Sequence, residues 1–195
     1  LNINNLILTR GEKIPKEVQP RPKAIMDMNA TSLISLANQI RNDEKLPSNN
    51  DFLIGGVVTP LSPKKGWPAK NLSEKVDAGA NFMITHTCLD MELIQIYMER
   101  LIATKLLRSM HLIVGIAILK SAEDAKWLRE NRPNVMIPVD VVERLEKSKN
   151  PEQEGIKICA ENLRTLAKIP GISGAHIIAS NTVLNIPEAI TLANL

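Results

Sequence analysis

The sequence predicts an α/β fold of parallel strands, five strand–helix units of a (β/α)8 barrel, and three observations carry that reading. Five short runs are apolar throughout rather than alternating, the pattern of strands covered on both faces. Each is followed by turn residues and then a stretch with helical spacing, which implies a parallel sheet with crossover helices. Polar residues gather where the runs end: Arg10-Gly11-Glu12, Thr59, Thr85-His86 and Ser180-Asn181. In a (β/α)8 barrel those strand ends form the face that carries the chemistry.

The runs are Ile3 to Leu8, Phe52 to Val58, Phe82 to Thr85, His111 to Ala117 and Ala175 to Ile178. Between them, Thr31 to Arg41 places Leu33, Leu36, Ala37 and Ile40 on one side of a helix. Ala69 to Asp77 reads as a helix closed by Gly79. Asp90 is placed to cap Met91 to Ala103, leaving Glu92 and Glu99 for solvent. Ser121 opens Ala122 to Glu130, where Glu123 and Asp124 complement the helix dipole. Pro151 suits the first turn of a helix over Glu152 to Lys168, whose stripe is Ile156, Cys159, Leu163 and Leu166. A short helix is expected from Pro187 to Ala193. Lys13 to Ala24, with Pro15, Pro20 and Pro22, reads as a long loop.

Neither GxGxxG after a strand nor GxxxxGK[ST] occurs, so the nucleotide signatures of open doubly wound sheets are missing. A closed barrel has eight units and about 250 residues. Five units leave three unaccounted for.

Composition narrows the function classes. The net charge of +3 is balanced, and the aromatics are two Phe, two Trp and one Tyr, scattered along the chain. Single-strand nucleic-acid binders need clustered cations and stacking platforms, so no nucleic-acid partner is expected. No apolar run approaches the length of a membrane span. Cys88 and Cys159 form no CxxC pair and read as reduced thiols of a cytoplasmic protein. His86, His111 and His176 have no metal-ligand spacing, so no metal site is expected.

The stretch Asn71-Leu72-Ser73-Glu74-Lys75-Val76-Asp77-Ala78-Gly79-Ala80-Asn81-Phe82-Met83-Ile84-Thr85-His86 resembles the most characteristic segment of methylenetetrahydrofolate reductases. There a helix ending Lys-Val-(Asp/Glu)-Ala-Gly-Ala leads into a strand ending Thr-Gln. Leu8 to Glu12 (LTRGE) resembles the turn after that family's fourth strand, and Ile54 to Pro60 (IGGVVTP) its fifth strand and turn. Ile113 to Ser121, Met136-Ile137-Pro138 and Gly174 to Ile177 follow in the family's order. On this resemblance, residues 1–195 are the C-terminal portion of one barrel domain whose first three units are absent.

The resemblance implies a flavin-dependent oxidoreductase of one-carbon metabolism, reducing methylenetetrahydrofolate to methyltetrahydrofolate with NAD(P)H through bound FAD. Lys75 would neutralise flavin phosphate, and Asn71, one turn earlier, would bond the same cofactor. Gly55 and Gly56, lacking Cβ atoms, would let a flat ligand approach the backbone. Thr9, Arg10 and Gly11 would line the ribityl chain and ring edge. Glu12, in place of the family's Asp, is the candidate catalytic carboxylate beside the flavin pyrimidine. His86, in place of Gln, and Asn181 would contact a folate-type substrate.

The family's acid residue on its first strand has no counterpart, so no folate reduction is expected of these residues alone. A non-catalytic or partner-dependent flavin- or pterin-binding barrel protein is the alternative reading. A partial barrel exposes strand edges, so self-association or a companion segment that completes the barrel is expected. Several residues also have ordinary structural roles: His176 as a core residue of an apolar strand, Trp67 and Trp127 as packing or rim anchors, and Lys64-Lys65 as solvated loop charge.

Overall fold

The computed structural model describes residues 3–11, 19–20, 27–45, 52–179 and 185–195. Its strands are β1 (Asn5–Leu8), β2 (Leu53–Val58), β3 (Phe82–Thr85), β4 (His111–Ile118) and β5 (Ile172–Ala179). They form one sheet in the order β1-β2-β3-β4-β5, every neighbouring pair parallel. The helices are α1 (Ala30–Arg41), α2 (Lys70–Asp77), α3 (Met91–Ala103), α4 (Ala122–Asn131), α5 (Val139–Lys147), α6 (Pro151–Leu166) and α7 (Asn185–Ala193). This is the five-unit α/β arrangement that the apolar runs predict.

Helix starts follow side-chain chemistry. Asn29, Asp90, Ser121 and Asn150 each accept a backbone N–H three residues on, at 2.8, 2.9, 3.2 and 3.3 Å. Each cap satisfies one of the N–H groups that a helix start leaves unpaired. Helix α2 closes through Gly79, whose φ of 113° is open to glycine and whose N–H bonds the Val76 carbonyl at 2.9 Å. Two helical readings need correction. In α1 the buried positions are Ile34 and Ala37, whereas Leu36 and Ile40 face outward. Helix α5 was not anticipated from the sequence, because its opening Val139, Val141 and Val142 favour strands locally.

Register divides the sheet into two faces. Ile54, Met83, Leu112, Val114 and Ile116 point into the helix layer and are buried. There they meet Ile34, Leu72, Ile94, Leu101, Ile156 and Cys159, so the α6 stripe is buried as its spacing predicts. The alternate residues line the face that would be a barrel's interior: Ile7, Leu53, Gly55, Phe82, His111, Gly115, His176 and Ile178. That face is open, with Ile7, Leu53 and Ile178 at 51, 53 and 43% exposure. The uniformly apolar runs predict cover on both sides; here the helices cover one.

The starts of the strands are braced. Arg41 donates to Asn81 Oδ1 at 2.8 Å and to Asn38 Oδ1 at 2.6 Å, and Asn81 Oδ1 also accepts Ile54 N–H at 3.0 Å. One arginine thus ties α1 to the entries of β2 and β3, leaving the opposite strand ends as the place for polar turns.

Candidate functional site

Because all five strands run parallel, the residues that follow them share one edge of the sheet. Thr9, Arg10 and Gly11 follow β1, Thr59 follows β2, His86 follows β3, and Lys120-Ser121 follows β4. These residues therefore lie along the C-terminal edge of the sheet. Thr9, Arg10 and Gly11 are exposed, with Gly11 at φ 86° and its N–H 3.4 Å from Thr9 Oγ1. Glu12 and Asn181, the candidate carboxylate and one candidate substrate contact, lie outside the described residues.

Lys75 reaches the same edge from α2. Its Nζ donates to the Val57 carbonyl oxygen at 2.7 Å, near the end of β2, and the residue is 9% exposed. Burial strips water from the ammonium and pushes its pKa below the usual lysine range. This is not a solvated surface lysine. The ammonium has three donors, so the bond to Val57 leaves capacity for a phosphate oxygen. Asn71, one turn earlier on α2, is exposed.

The two glycines of β2 have a packing role. A Cβ at Gly55 would collide with the Phe82 ring, and one at Gly56 would come within 3.1 Å of Met83 Sδ and 3.3 Å of Ile34 Cδ1. Each glycine makes room for packing between strands or against α1. Phe82 occupies the space over Gly55.

At the end of β3 the backbone crosses close over β4. Thr85 Oγ1 accepts the Gly115 N–H at 2.9 Å, and a Cβ at 115 would stand 2.5 Å from the Thr85 carbonyl oxygen. The ladder between β3 and β4 ends at Ile84 and Ile113, and beyond it Cys88 N–H bonds the Gly115 carbonyl at 2.8 Å. His86 is held at this crossing by its own N–H, which bonds the Val58 carbonyl at 2.8 Å. The sequence reading treats His176 as core, yet it is exposed on the open face beside Gly115.

Trp67 packs against Tyr97 with ring centroids 5.5 Å apart, whereas Trp127 is exposed. Lys64 and Lys65 are exposed, as solvated loop charge should be. Among the described residues, no group of three or more His, Cys, Asp or Glu is placed to hold a metal ion. Nor is any described helix long and apolar enough to cross a membrane.

This parallel α/β sheet with its polar rim is the kind of scaffold on which barrel enzymes hold small molecules. The match to methylenetetrahydrofolate reductases runs over residues 2–192, and the chain belongs to that family. Among solved structures, it is similar to a protein from Clostridium thermocellum that binds two copies of 5-methyl-5,6,7,8-tetrahydrofolic acid. The two share 17% identity at a TM-score of 0.51, over 73% of this chain and 52% of that one. That likeness shows the fold, and the chain spans about half of that structure's length. No curated protein matches.

Proposed function

We propose that the chain is the flavin- and folate-holding part of a cytoplasmic oxidoreductase that passes hydride from NAD(P)H to methylenetetrahydrofolate. The observation that carries this reading is the buried Lys75 ammonium at the end of β2, on the edge that also bears Thr9–Gly11 and His86. Family membership supports this reading. Two buried free thiols, Cys88 and Cys159, suit a reducing compartment.

The donor set fits FAD. Lys75 and Asn71 would hold the phosphates, a point charge and a neutral donor one helical turn apart. The turn Thr9-Arg10-Gly11 would follow the ribityl chain, with Glu12 expected beside the pyrimidine edge as the carboxylate that tunes hydride affinity. When bound, the flavin supplies reversible two-electron chemistry. His86 and Asn181 would orient the pterin. A neutral imidazole offers one donor and one acceptor, and a protonated one only donors.

A second reading, a flavin- or pterin-binding protein that is inactive without a partner, is favoured by the open sheet face. An open face bearing exposed Ile7, Leu53 and Ile178, and two outer strands, are surfaces that a companion segment or a second copy would cover. Visible absorption of the purified chain, before and after added FAD, separates the two. The oxidoreductase reading expects a flavin spectrum that NADH or NADPH bleaches. A bound flavin that neither nucleotide bleaches supports the second reading, and no flavin uptake at all ends the flavin assignment.

A further inference from the structure

Two stretches of the sequence carry positive charge and no carboxylate. Residues 100–122 hold Arg100, Lys105, Arg108 and Lys120, and residues 162–187 hold Arg164 and Lys168, with neither Asp nor Glu in either. The fold gathers four of these cations at the entry end of β4 and β5, opposite the candidate site. Lys105 and Arg108 bracket the turn between α3 and β4, which the Arg108 N–H closes on the Lys105 carbonyl at 3.1 Å. Arg164 lies in the last turn of α6, and Lys168 in the turn that follows. The two pairs adjoin, because a Cβ at Gly171, just past Lys168, would stand 2.7 Å from Leu107 Cδ1. All four cations are exposed. Among the described residues, none of them forms an ion pair.

Helix ends account for part of this charge. Both α3 and α6 finish here, and cations complement the negative end of a helix dipole. Each dipole is worth about half a charge, so the two offset roughly one cation of the four. The carboxylates that flank the two stretches do not supply the rest. Glu161 is held through both of its oxygens by Arg144. Glu99 precedes Lys105 by about 9 Å along the helix axis, and Glu123 and Glu188 open α4 and α7 at the other end of the sheet. Beside the cations stands an apolar group. Ile102 is 45% exposed, and its Cγ1 is 3.7 Å from the same Cβ position at Gly171.

We propose that Lys105, Arg108, Arg164 and Lys168, with Ile102 beside them, dock an acidic polypeptide segment that carries an apolar side chain. The docking needs neither flavin nor folate. Opposite charge steers the encounter and sets its register, and an apolar contact inside a charged rim holds what has docked. Other occupants fit less well. A bilayer surface is held by cations together with several inserted apolar side chains, and Ile102 is a single one. Single-stranded nucleic acid needs aromatic platforms, and neither stretch contains Phe, Tyr or Trp. A second copy is poorly matched, since Glu143 and Glu146 of the acidic α4–α5 surface already pair with Lys147 and Lys126.

A fluorescent peptide of about ten residues, glutamates around one leucine, tests the patch by anisotropy. Binding should fall steeply with added salt and weaken about tenfold in Lys105→Glu/Arg108→Glu. Lys64→Glu/Lys65→Glu makes the same change of net charge at the opposite edge and should alter binding less than about twofold. Exchanging the peptide's leucine for glycine should cost about threefold, the burial of part of one side chain. Arg164→Gln/Lys168→Gln, on the α6 side of the patch, should weaken binding about threefold and gives the reading if the first variant fails to fold. Equal losses at the two edges would mean attraction to net charge alone and overturn the patch. No peptide binding, or tighter binding of phosphatidylserine vesicles or of a short RNA than of the peptide, would overturn it as well.

Discussion

The Lys75 ammonium and the Val57 carbonyl oxygen are 2.7 Å apart, joining helix α2 to the end of β2 beneath a nearly closed surface. Desolvation disfavours the charge, and one carbonyl bond repays that only in part. Such a lysine adds little to stability. Lys75→Met, which keeps the volume and removes the charge, should change the urea-unfolding free energy by no more than about 1 kcal/mol. The same variant should lower flavin affinity about tenfold or more, the worth of a charge-assisted phosphate contact. A flavin titration and a urea curve on the same preparation read the two effects separately.

Thr85 and Gly115 fix the crossing of β3 over β4. Thr85→Val keeps the shape and leaves the Gly115 N–H without its hydroxyl acceptor, which should cost about 1–3 kcal/mol. Gly115→Ala should cost at least as much, since its Cβ meets backbone that does not yield as a side chain does. Denaturant midpoints at constant slope check both values.

Arg144 forks between α5 and α6, with Nε on Glu154 Oε1 at 2.6 Å and its two terminal nitrogens on the Glu161 carboxylate. The arginine bond holds the Glu161 pKa below the usual glutamate range. A carboxylate depressed on folding stabilises above its ordinary pKa, and that contribution disappears as pH falls through the lowered value. The stability difference between the parent and Arg144→Met should therefore be level at neutral pH and shrink below about pH 4. The groups are partly exposed, so the plateau should be no more than about 1 kcal/mol and fall with added salt.

Cys88 and Cys159 are buried, and desolvation raises both thiols to about 11. At pH 8 roughly one thiol in a thousand is then ionised. Ellman's reagent should react with neither in the native state within minutes, and with both promptly in denaturant. Fast reaction of either thiol in the native protein would contradict its burial.

Much of the fold was legible because the strands and most helices announce themselves locally. The unbroken apolar run His111 to Ala117 reads as a strand without knowledge of its neighbours, and Asp90 and Ser121 mark helix starts by their own chemistry. The same unbroken runs conceal which residues face the helices. That is why His176 reads as core although it lies on the open face, whereas Leu36 and Ile40 of α1 read as core because a helical stripe alone does not fix which side meets the sheet. Helix α5 escaped because β-branched residues at its start outweigh the amphipathic pattern behind them. At the strand ends, the burial of Lys75 and the packing of Phe82 over Gly55 were not legible in the sequence. Gly55 and Phe82 are 27 positions apart in sequence, and only the strand register of the fold brings the two together.

Among the described residues, strand β1 pairs with β2 alone over four residues, and its sides alternate between exposed and half-buried. Local opening is cheapest at such an edge, and the turn Thr9-Arg10-Gly11 is attached to it. A cofactor gripping that turn would slow β1 amide exchange far more than that of β4, because binding stabilises only the closed state. The outermost strand, the least anchored part of the sheet, would then become its most sensitive gauge of occupancy.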